Sequence, residues 1–218
     1  MCGFLPKPWS EKCPFYVVRF WTKVSFLVAG VPIESRSDIS LHRHSHFILV
    51  SNHRSILDVG LLINQLPFLI IFLAKKELFS IPFLGYLLKL QGHRFVDRSN
   101  RRRTADSLAR ISESIQHGQS CMTFPEATRS QDGTLLPFKR GSFQLSTQSG
   151  IPILPCYLYG MEQVMAKGSF KIRHGRIGLK VGTPIELGDD QLKLTDREQQ
   201  NWLMTEARSA IERLQQTI

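Results

Sequence analysis

The stretch Phe47-Ile48-Leu49-Val50-Ser51-Asn52-His53-Arg54-Ser55-Ile56-Leu57-Asp58 puts a histidine and a carboxylate at the junction of two predicted elements. Its first four residues are apolar, which is typical of a short buried strand. After the polar run, apolar residues recur at roughly helical spacing as far as Pro67. The stretch therefore predicts strand, turn and helix, the repeating unit of an α/β sheet.

The same alternation continues along the chain of 218 residues. Apolar runs predict further strands at 68–74, 94–96, 121–124 and 151–158, with helices at 101–118 and 141–148. Two more runs, at 170–173 and 176–181, predict a hairpin near the end, and Thr195 with Glu198 forms a capping box that opens a closing helix. We predict an α/β fold with a mostly parallel sheet flanked by helices around one core.

The spacing of His53 and Asp58 decides whether the two side chains can meet. Five residues of α-helix turn through about 500°, so the side chains would diverge if both residues were helical. If Ser55 is the N-cap, His53 lies in the preceding loop and Asp58, in the first turn, faces back toward it. The carboxylate could then hold one imidazole nitrogen and leave the other free as a base. The spacing also occurs by chance, and Ser55 and Asp58 could be a capping device alone beside a surface histidine.

Further segments follow this stretch in a fixed order. They are Ala74-Lys75-Lys76-Glu77-Leu78-Phe79 with Pro82, Phe83 and Gly85, then Gly92-His93-Arg94-Phe95-Val96-Asp97-Arg98, Phe124-Pro125-Glu126-Ala127-Thr128-Arg129-Ser130 and Ile151-Pro152-Ile153-Leu154-Pro155. Over about residues 47–159, the chain resembles the ordered blocks of the lysophosphatidic acid (1-acyl-sn-glycerol-3-phosphate) acyltransferase family of phospholipid synthesis. Several blocks in register are more specific than any one of them.

The resemblance implies a reaction and its catalytic pair. An acyl group would pass from a thioester, either acyl-CoA or acyl carrier protein, to the free sn-2 hydroxyl of lysophosphatidic acid, giving phosphatidic acid. His53 would deprotonate that hydroxyl and Asp58 would orient the imidazole. No covalent enzyme intermediate, metal or bound cofactor is implied.

The resemblance also implies a site for the acceptor phosphate. The blocks that contain Arg98 and Glu126 to Arg129, including Thr128, would grip it, and the planar fork of arginine suits phosphate oxygens. Glu126 cannot bind phosphate directly, so we assign it to holding an arginine or the glycerol hydroxyls. Lys139 and Arg140 are further candidates, although such residues are also ordinary on a solvated surface.

Ala127 departs from the family pattern, because glycine often stands at its position. The exchange is harmless unless the backbone there needs a positive φ, which would cost alanine about 1 kcal/mol.

The amino-terminal segment predicts contact with a membrane. Residues 15–32 are largely apolar, but Arg19 and Lys23 interrupt them, so they lack the ~20 apolar residues that span a bilayer. Aromatic residues beside basic ones suit a helix lying in the interface, and an amphipathic helix packed on the domain is the alternative. We predict a membrane-interface segment at 1–32 and an acyltransferase domain at 33–218. The protein would be peripheral or monotopic at the cytoplasmic face of the cell inner membrane.

The net charge of +10 at pH 7 indicates an anionic partner, which could be a nucleic acid, an anionic membrane surface or a phosphorylated substrate. A non-catalytic basic module would explain Arg101, Arg102 and Arg103, but no nucleic-acid-binding motif is recognisable, so we predict no nucleic-acid partner. Within enzymes, the alternative acceptors are glycerol-3-phosphate and a lyso-form of an amino-acid lipid.

Other signatures do not predict a different chemistry. His42, His44 and His46 alternate without partner cysteines, and we interpret them as a solvated loop and not as a metal site. The four cysteines form no CxxC pair, which favours reduced thiols.

Overall fold

The computed structural model describes residues 7–35, 46–68, 70–75, 94–96, 111–113, 115, 119–169 and 171–218. Its helices are α1 (Lys7–Val28), α2 (Asp58–Gln65), α3 (Gly141–Ser149), α4 (Met161–Val164), α5 (Asp189–Leu192) and α6 (Asp196–Gln216). Residues 111–113 and 115 are also helical. The capping box of Thr195 and Glu198 is confirmed at the start of α6.

Among the residues described, seven strands form one sheet. They are β1 (Ile33–Ser35), β2 (Ile48–Ser51), β3 (Ile70–Lys75), β4 (Arg94–Val96), β5 (Ser120–Thr123), β6 (Ile153–Tyr159) and β7 (Ile177–Val181). The order across the sheet is β1-β7-β6-β2-β5-β3-β4, and every neighbouring pair is parallel except β6 with β7. The prediction of a mostly parallel sheet flanked by helices is confirmed.

The predicted hairpin near the end of the chain was wrong. Residues 171–176 form no strand, and β7 pairs antiparallel with β6 and parallel with β1. The physical reason lies in the side chains: Lys171, Arg173 and His174 are exposed, so this segment has no apolar face to bury. Residues 177–179 of β7, in contrast, are buried.

The two faces of the sheet carry separate apolar cores. Phe15, Phe26 and Val31, from α1 and the residues after it, pack with α2 on one face. The helices α3 and α6 cover the other, together with Ile111 and Ile115. The chain therefore has the two helical layers that a parallel sheet requires.

Strand β2 lies between β6 and β5, and all three run in parallel. Val50 is opposite Thr123 on β5, so the residues that follow the two strands leave the sheet side by side. The carboxyl edge of such a sheet is where open α/β folds bind ligands. This topology brings the loop of His53 next to the loop of Glu126.

Several predictions lie outside the described residues. They are residues 101–110 of the helix predicted at 101–118, and the residues Arg98, His42 and His44.

Candidate active site

Asn52 fixes the point at which the chain leaves β2. It is fully buried, its amide nitrogen donates to the Leu158 carbonyl at 2.8 Å, and its amide oxygen accepts from the Leu158 N–H at 2.8 Å. The side chain thus continues the pairing of β2 with β6 beyond the last strand residue. His53 follows at a defined position above the sheet edge.

The carboxylate of Asp58 organises the loop that carries His53. Its Oδ2 accepts hydrogen bonds from His53 Nδ1 at 2.7 Å and from the backbone N–H groups of Arg54 at 2.7 Å and Ser55 at 3.0 Å. Asp58 is fully buried at the first residue of α2, where the helix dipole also favours a negative charge. The spacing argument correctly placed this carboxylate facing back toward the histidine.

The capping arrangement differs from the prediction. Leu57, not Ser55, is the N-cap of α2, and Asp58 is the first helical residue. The Ser55 hydroxyl instead donates to the Met165 carbonyl at 2.8 Å, across to the segment that follows α4. The same hydroxyl accepts the Leu57 N–H at 3.4 Å, so Ser55 binds a backbone donor in the turn that precedes the helix.

The imidazole of His53 is held on one face by an aromatic ring. The rings of His53 and Phe124 are stacked, with centroids 4.0 Å apart and planes inclined by 14°. Asp58 Oδ2 already accepts two backbone N–H groups, so its contact with His53 suits a proton on Nδ1. The side chain is 20% exposed, so a substrate can reach it.

Glu126, in the turn that follows β5, binds the backbone of His53. Its Oε1 accepts the His53 N–H at 2.8 Å and its Oε2 accepts the Leu136 N–H at 2.9 Å, while the Ser130 N–H donates to the His53 carbonyl at 3.0 Å. Burial raises the pKa of Glu126, and the two N–H donors and the nearby Arg54 and His53 partly offset that rise. The contacts of this carboxylate are with the loops themselves.

The cationic residues predicted to bind phosphate lie around the same turn. Arg129 is half-buried in the loop after β5, and Thr128 beside it is exposed. Lys139 and Arg140 are exposed just before α3. The Lys139 N–H donates to the Pro125 carbonyl at 2.8 Å and so joins the start of α3 to the turn after β5. The turn after β5 and the start of α3 thus carry three cationic residues, Arg129, Lys139 and Arg140.

Three residues near the site had no role in the sequence interpretation. Arg54 is 1% exposed and donates through Nη1 to the Thr134 carbonyl at 2.9 Å, while Nη2 is buried without a hydrogen-bond partner among the described residues. Phe124 stacks on the imidazole, and Lys167 donates to the Arg129 carbonyl at 2.8 Å. The position of Phe124 at the end of a strand beside the histidine strand was a usable signal. No sequence pattern pointed to a buried arginine or to Lys167.

Ala127 has a positive φ of 60°. Its N–H donates to the Phe124 carbonyl at 3.0 Å and closes the turn that carries Glu126. The condition under which alanine is strained at this position is therefore met.

The cysteines of the sheet do not favour nucleophilic chemistry. Burial raises the pKa of Cys121 to about 12, and it raises that of Cys156 as well, so neither thiol ionises readily. Among the described ranges, no group of three or more His, Cys, Asp or Glu side chains is arranged to hold a metal ion.

Comparison with known proteins identifies the family. The profile of the acyltransferase family matches residues 33–159, which include the stretch with His53 and Asp58 and the turn with Glu126. This chain belongs to the acyltransferase family. The resemblance predicted from the sequence is confirmed.

Curated relatives of this acyltransferase chain are named 1-acyl-sn-glycerol-3-phosphate acyltransferase. One from Limnanthes alba is 38% identical and aligns over 73% of this chain and 57% of the relative. One from Saccharomyces cerevisiae is 40% identical over 67% of this chain and 46% of the relative, and the alpha form from Bos taurus is 31% identical over 80% and 62%. The chain thus spans about half the length of the curated relatives that it matches.

A solved structure confirms the fold of the acyltransferase chain. The crystal structure of the 1-acyl-sn-glycerophosphate acyltransferase PlsC from Thermotoga maritima aligns with a TM-score of 0.80. The alignment covers 98% of this chain and 84% of that protein, with 23% sequence identity.

Proposed function

We propose that the protein transfers a fatty acyl group from a thioester to the free sn-2 hydroxyl of lysophosphatidic acid and so makes phosphatidic acid. The observation that carries this proposal is the 2.7 Å contact between His53 Nδ1 and Asp58 Oδ2, which leaves Nε2 of a partly exposed imidazole as a base. The names of the curated relatives support the choice of acceptor.

In the proposed mechanism, the protein supplies a base and the substrates react directly. His53 Nε2 accepts the proton of the acceptor hydroxyl while the oxygen attacks the thioester carbonyl carbon. The tetrahedral intermediate then collapses, the carbon–sulfur bond breaks, and the imidazolium returns its proton to the leaving thiolate. The buried Asp58 carboxylate stabilises the imidazolium in between.

The acceptor phosphate is proposed to bind beside the turn of residues 125–130. Arg129 supplies a bidentate fork there, Thr128 a hydroxyl, and Lys139 and Arg140 further positive charge, with Arg98 completing the set. We now assign Glu126 a positioning role, because both of its oxygens accept backbone N–H groups.

The donor in this proposal is acyl-CoA or acyl carrier protein. Each presents the thioester that the mechanism needs, and each is anionic, which suits a chain of net charge +10.

Membrane association is proposed for the segment 1–32, next to an acyltransferase domain at 33–218. One side of α1 packs on the core, but the other side exposes a stripe of large apolar residues, namely Val17, Phe20, Trp21, Val24, Leu27 and Val28. Such a helix suits the headgroup boundary of a bilayer, here the cytoplasmic face of the inner membrane. In the portion of the chain that the structure describes, no helix has both the length and the apolar character to cross a bilayer.

A single assay tests the reaction. Purified protein in detergent is offered acyl-CoA or acyl carrier protein thioester against a panel of lysophosphatidic acid, other lysophospholipids, a lyso amino-acid lipid and glycerol-3-phosphate. We expect turnover with lysophosphatidic acid and the release of one thiol for each phosphatidic acid formed. Turnover with glycerol-3-phosphate alone, or with the amino-acid lipid alone, would show that this compound and not lysophosphatidic acid is the acceptor. No turnover with any combination of donor and acceptor would refute the reaction.

A further inference from the structure

The segment after α4 is a basic loop that the proposed reaction does not use. We define the basic loop as residues 166–176, with the sequence Ala-Lys-Gly-Ser-Phe-Lys-Ile-Arg-His-Gly-Arg. No Asp or Glu occurs between Glu162 and Glu186, so its positive charge has no compensation along the chain. Lys167, Lys171, Arg173 and Arg176 are all exposed.

The basic loop lies beside the carboxyl end of α1. A Cβ atom placed on Gly30 would be 3.5 Å from Cε1 of His174, so the histidine lies against the turn that ends the helix. At that same end, Leu27 and Val28 are 78% and 81% exposed. An exposed apolar helix end and a basic loop thus form one continuous surface.

The loop itself combines positive charge with an exposed apolar side chain. Ile172 is 44% exposed between Lys171 and Arg173. Among the described residues no carboxylate lies within salt-bridge distance of Lys171 or Arg173, whereas Arg176 pairs with Glu34 at 3.2 Å. Two cations on either side of an isoleucine match a leaflet whose anionic headgroups overlie an apolar layer.

We propose that the basic loop is a second membrane contact, which binds the headgroups of anionic phospholipids next to the inserted end of α1. The inference rests on the proposed membrane docking of α1 and deepens it by assigning lipid-charge selectivity to a different element. An anionic leaflet fits this surface better than an acidic protein does, because the neighbouring α1 stripe is apolar and continuous with the loop.

The basic loop is also joined by hydrogen bonds to the two turns of the candidate active site. The Met165 carbonyl, one residue before the loop, accepts the Ser55 hydroxyl at 2.8 Å, and Lys167 Nζ donates to the Arg129 carbonyl at 2.8 Å. These contacts join the loop to the turn of His53 and to the turn of Arg129. A loop bound to headgroups would therefore hold these two turns close to the leaflet that contains the acceptor.

The test compares two double variants of the full chain. Lys171→Gln with Arg173→Gln removes two charges from the basic loop and leaves Lys167 and Arg176, which have contacts, in place. Arg197→Gln with Arg213→Gln removes two exposed charges from α6, on the opposite face of the sheet from α1. Each protein is sedimented with phosphatidylcholine vesicles and with mixed phosphatidylcholine–phosphatidylglycerol vesicles, at low and high salt.

We expect the loop variant to bind the mixed vesicles more weakly by about fivefold per charge removed, and the α6 variant to bind like wild type. The difference should vanish on phosphatidylcholine alone and at high salt. An equal loss of vesicle binding in both variants would show that net charge alone explains the effect, and it would overturn the proposal. Unchanged vesicle binding of the loop variant would overturn it as well.

Acyl transfer in detergent separates this inference from the reaction on which it rests. The loop variant should keep wild-type turnover on detergent-solubilised acceptor, because Lys171 and Arg173 are not placed at the site. A parallel fall in detergent would assign the two residues to substrate binding and overturn the membrane role. No turnover by wild type in detergent would refute the reaction while leaving the vesicle result to stand by itself.

Discussion

Glu126 and His53 are joined through the backbone: Oε1 of the carboxylate accepts the N–H of the catalytic candidate at 2.8 Å. The second oxygen of Glu126 accepts the Leu136 N–H, so one buried side chain ties the loop after β2 to the long loop after β5. The histidine is thereby positioned at both ends, with Asp58 holding its ring and Glu126 its main chain.

The pH dependence of stability should report on Glu126. Burial raises its pKa above the ordinary 4.5, so the folded protein binds this proton more tightly than the unfolded chain does. The contribution of Glu126 to the free energy of unfolding is therefore largest below pH 4.5 and declines as the pH rises through the raised pKa. Urea denaturation over this range should show the stability of wild type, relative to Glu126→Gln, falling with rising pH.

Glu198 provides a control of the opposite sign. Hydrogen bonds from the side chain and backbone of Thr195 lower its pKa below 4.5, so its contribution is present above that pH and is lost on acidification. Relative to Glu198→Gln, the stability of wild type should rise as the pH increases toward 4.5. Equal slopes for the two variants would contradict the buried setting of Glu126.

Loss of the base should abolish most acyl transfer. His53→Ala is expected to lower turnover by ~10²–10⁴-fold, which is the usual contribution of a general base. Its fold should persist, because the side chain is only partly buried. Asp58→Asn should cost activity similarly, but it should also lower thermal stability, because Asp58 accepts three N–H groups. Wild-type turnover by folded His53→Ala would refute the mechanism.

The stacked ring of Phe124 should matter for turnover more than for binding. Phe124→Leu keeps an apolar contact but removes the flat surface that fixes the imidazole plane at 14° to it. We expect kcat to fall about ten- to a hundredfold, with the KM for acceptor little changed, because small misplacements of a base are costly. Phe124→Tyr retains the ring and serves as the matched control. A change confined to KM would show that Phe124 contacts substrate instead.

The sequence predicted the site through residues whose neighbours in the chain determine their geometry. Asp58 could be placed facing His53 because a helix start fixes where its first side chains point. The role of Ser55 could not be predicted, because its partner Met165 is 110 residues away. The pairing of β7 with β6 was missed for the same reason, since only the tertiary structure shows that β6 has a free edge there. Arg54 was assigned no role because a lone arginine is ordinarily exposed.

The strained turn at Ala127 predicts a stabilising substitution. With φ at 60°, Ala127→Gly should raise the free energy of unfolding by about 1 kcal/mol, because glycine adopts this conformation without a Cβ clash. The reverse exchange is available at Gly150, which ends α3 with φ of 69° and has open space around its Cβ position. Gly150→Ala should lower the free energy of unfolding by a similar amount, again measured by urea denaturation. A neutral or destabilising Ala127→Gly would show that the turn tolerates alanine without strain.

The exposed stripe of α1 should be required for docking on a membrane. Removing the helix would be uninformative, because Phe15 and Phe26 belong to the core, so the test changes exposed residues only. Phe20→Gln with Leu27→Gln should weaken co-sedimentation with vesicles at both low and high salt, because buried apolar surface is not screened. Leu192→Gln, an exposed leucine on α5, is the matched control.

The same α1 variant should lose activity on vesicle-borne acceptor and keep it on detergent-solubilised acceptor, because docking limits only the first reaction. The salt dependence distinguishes the contribution of α1 from that of the basic loop, whose attraction to headgroups is screened. Unchanged sedimentation of the Phe20 and Leu27 variant at high salt would mean that other parts of the protein hold the membrane. The stripe would then have to be explained by contact with another partner, since so large an apolar surface is unfavourable in water.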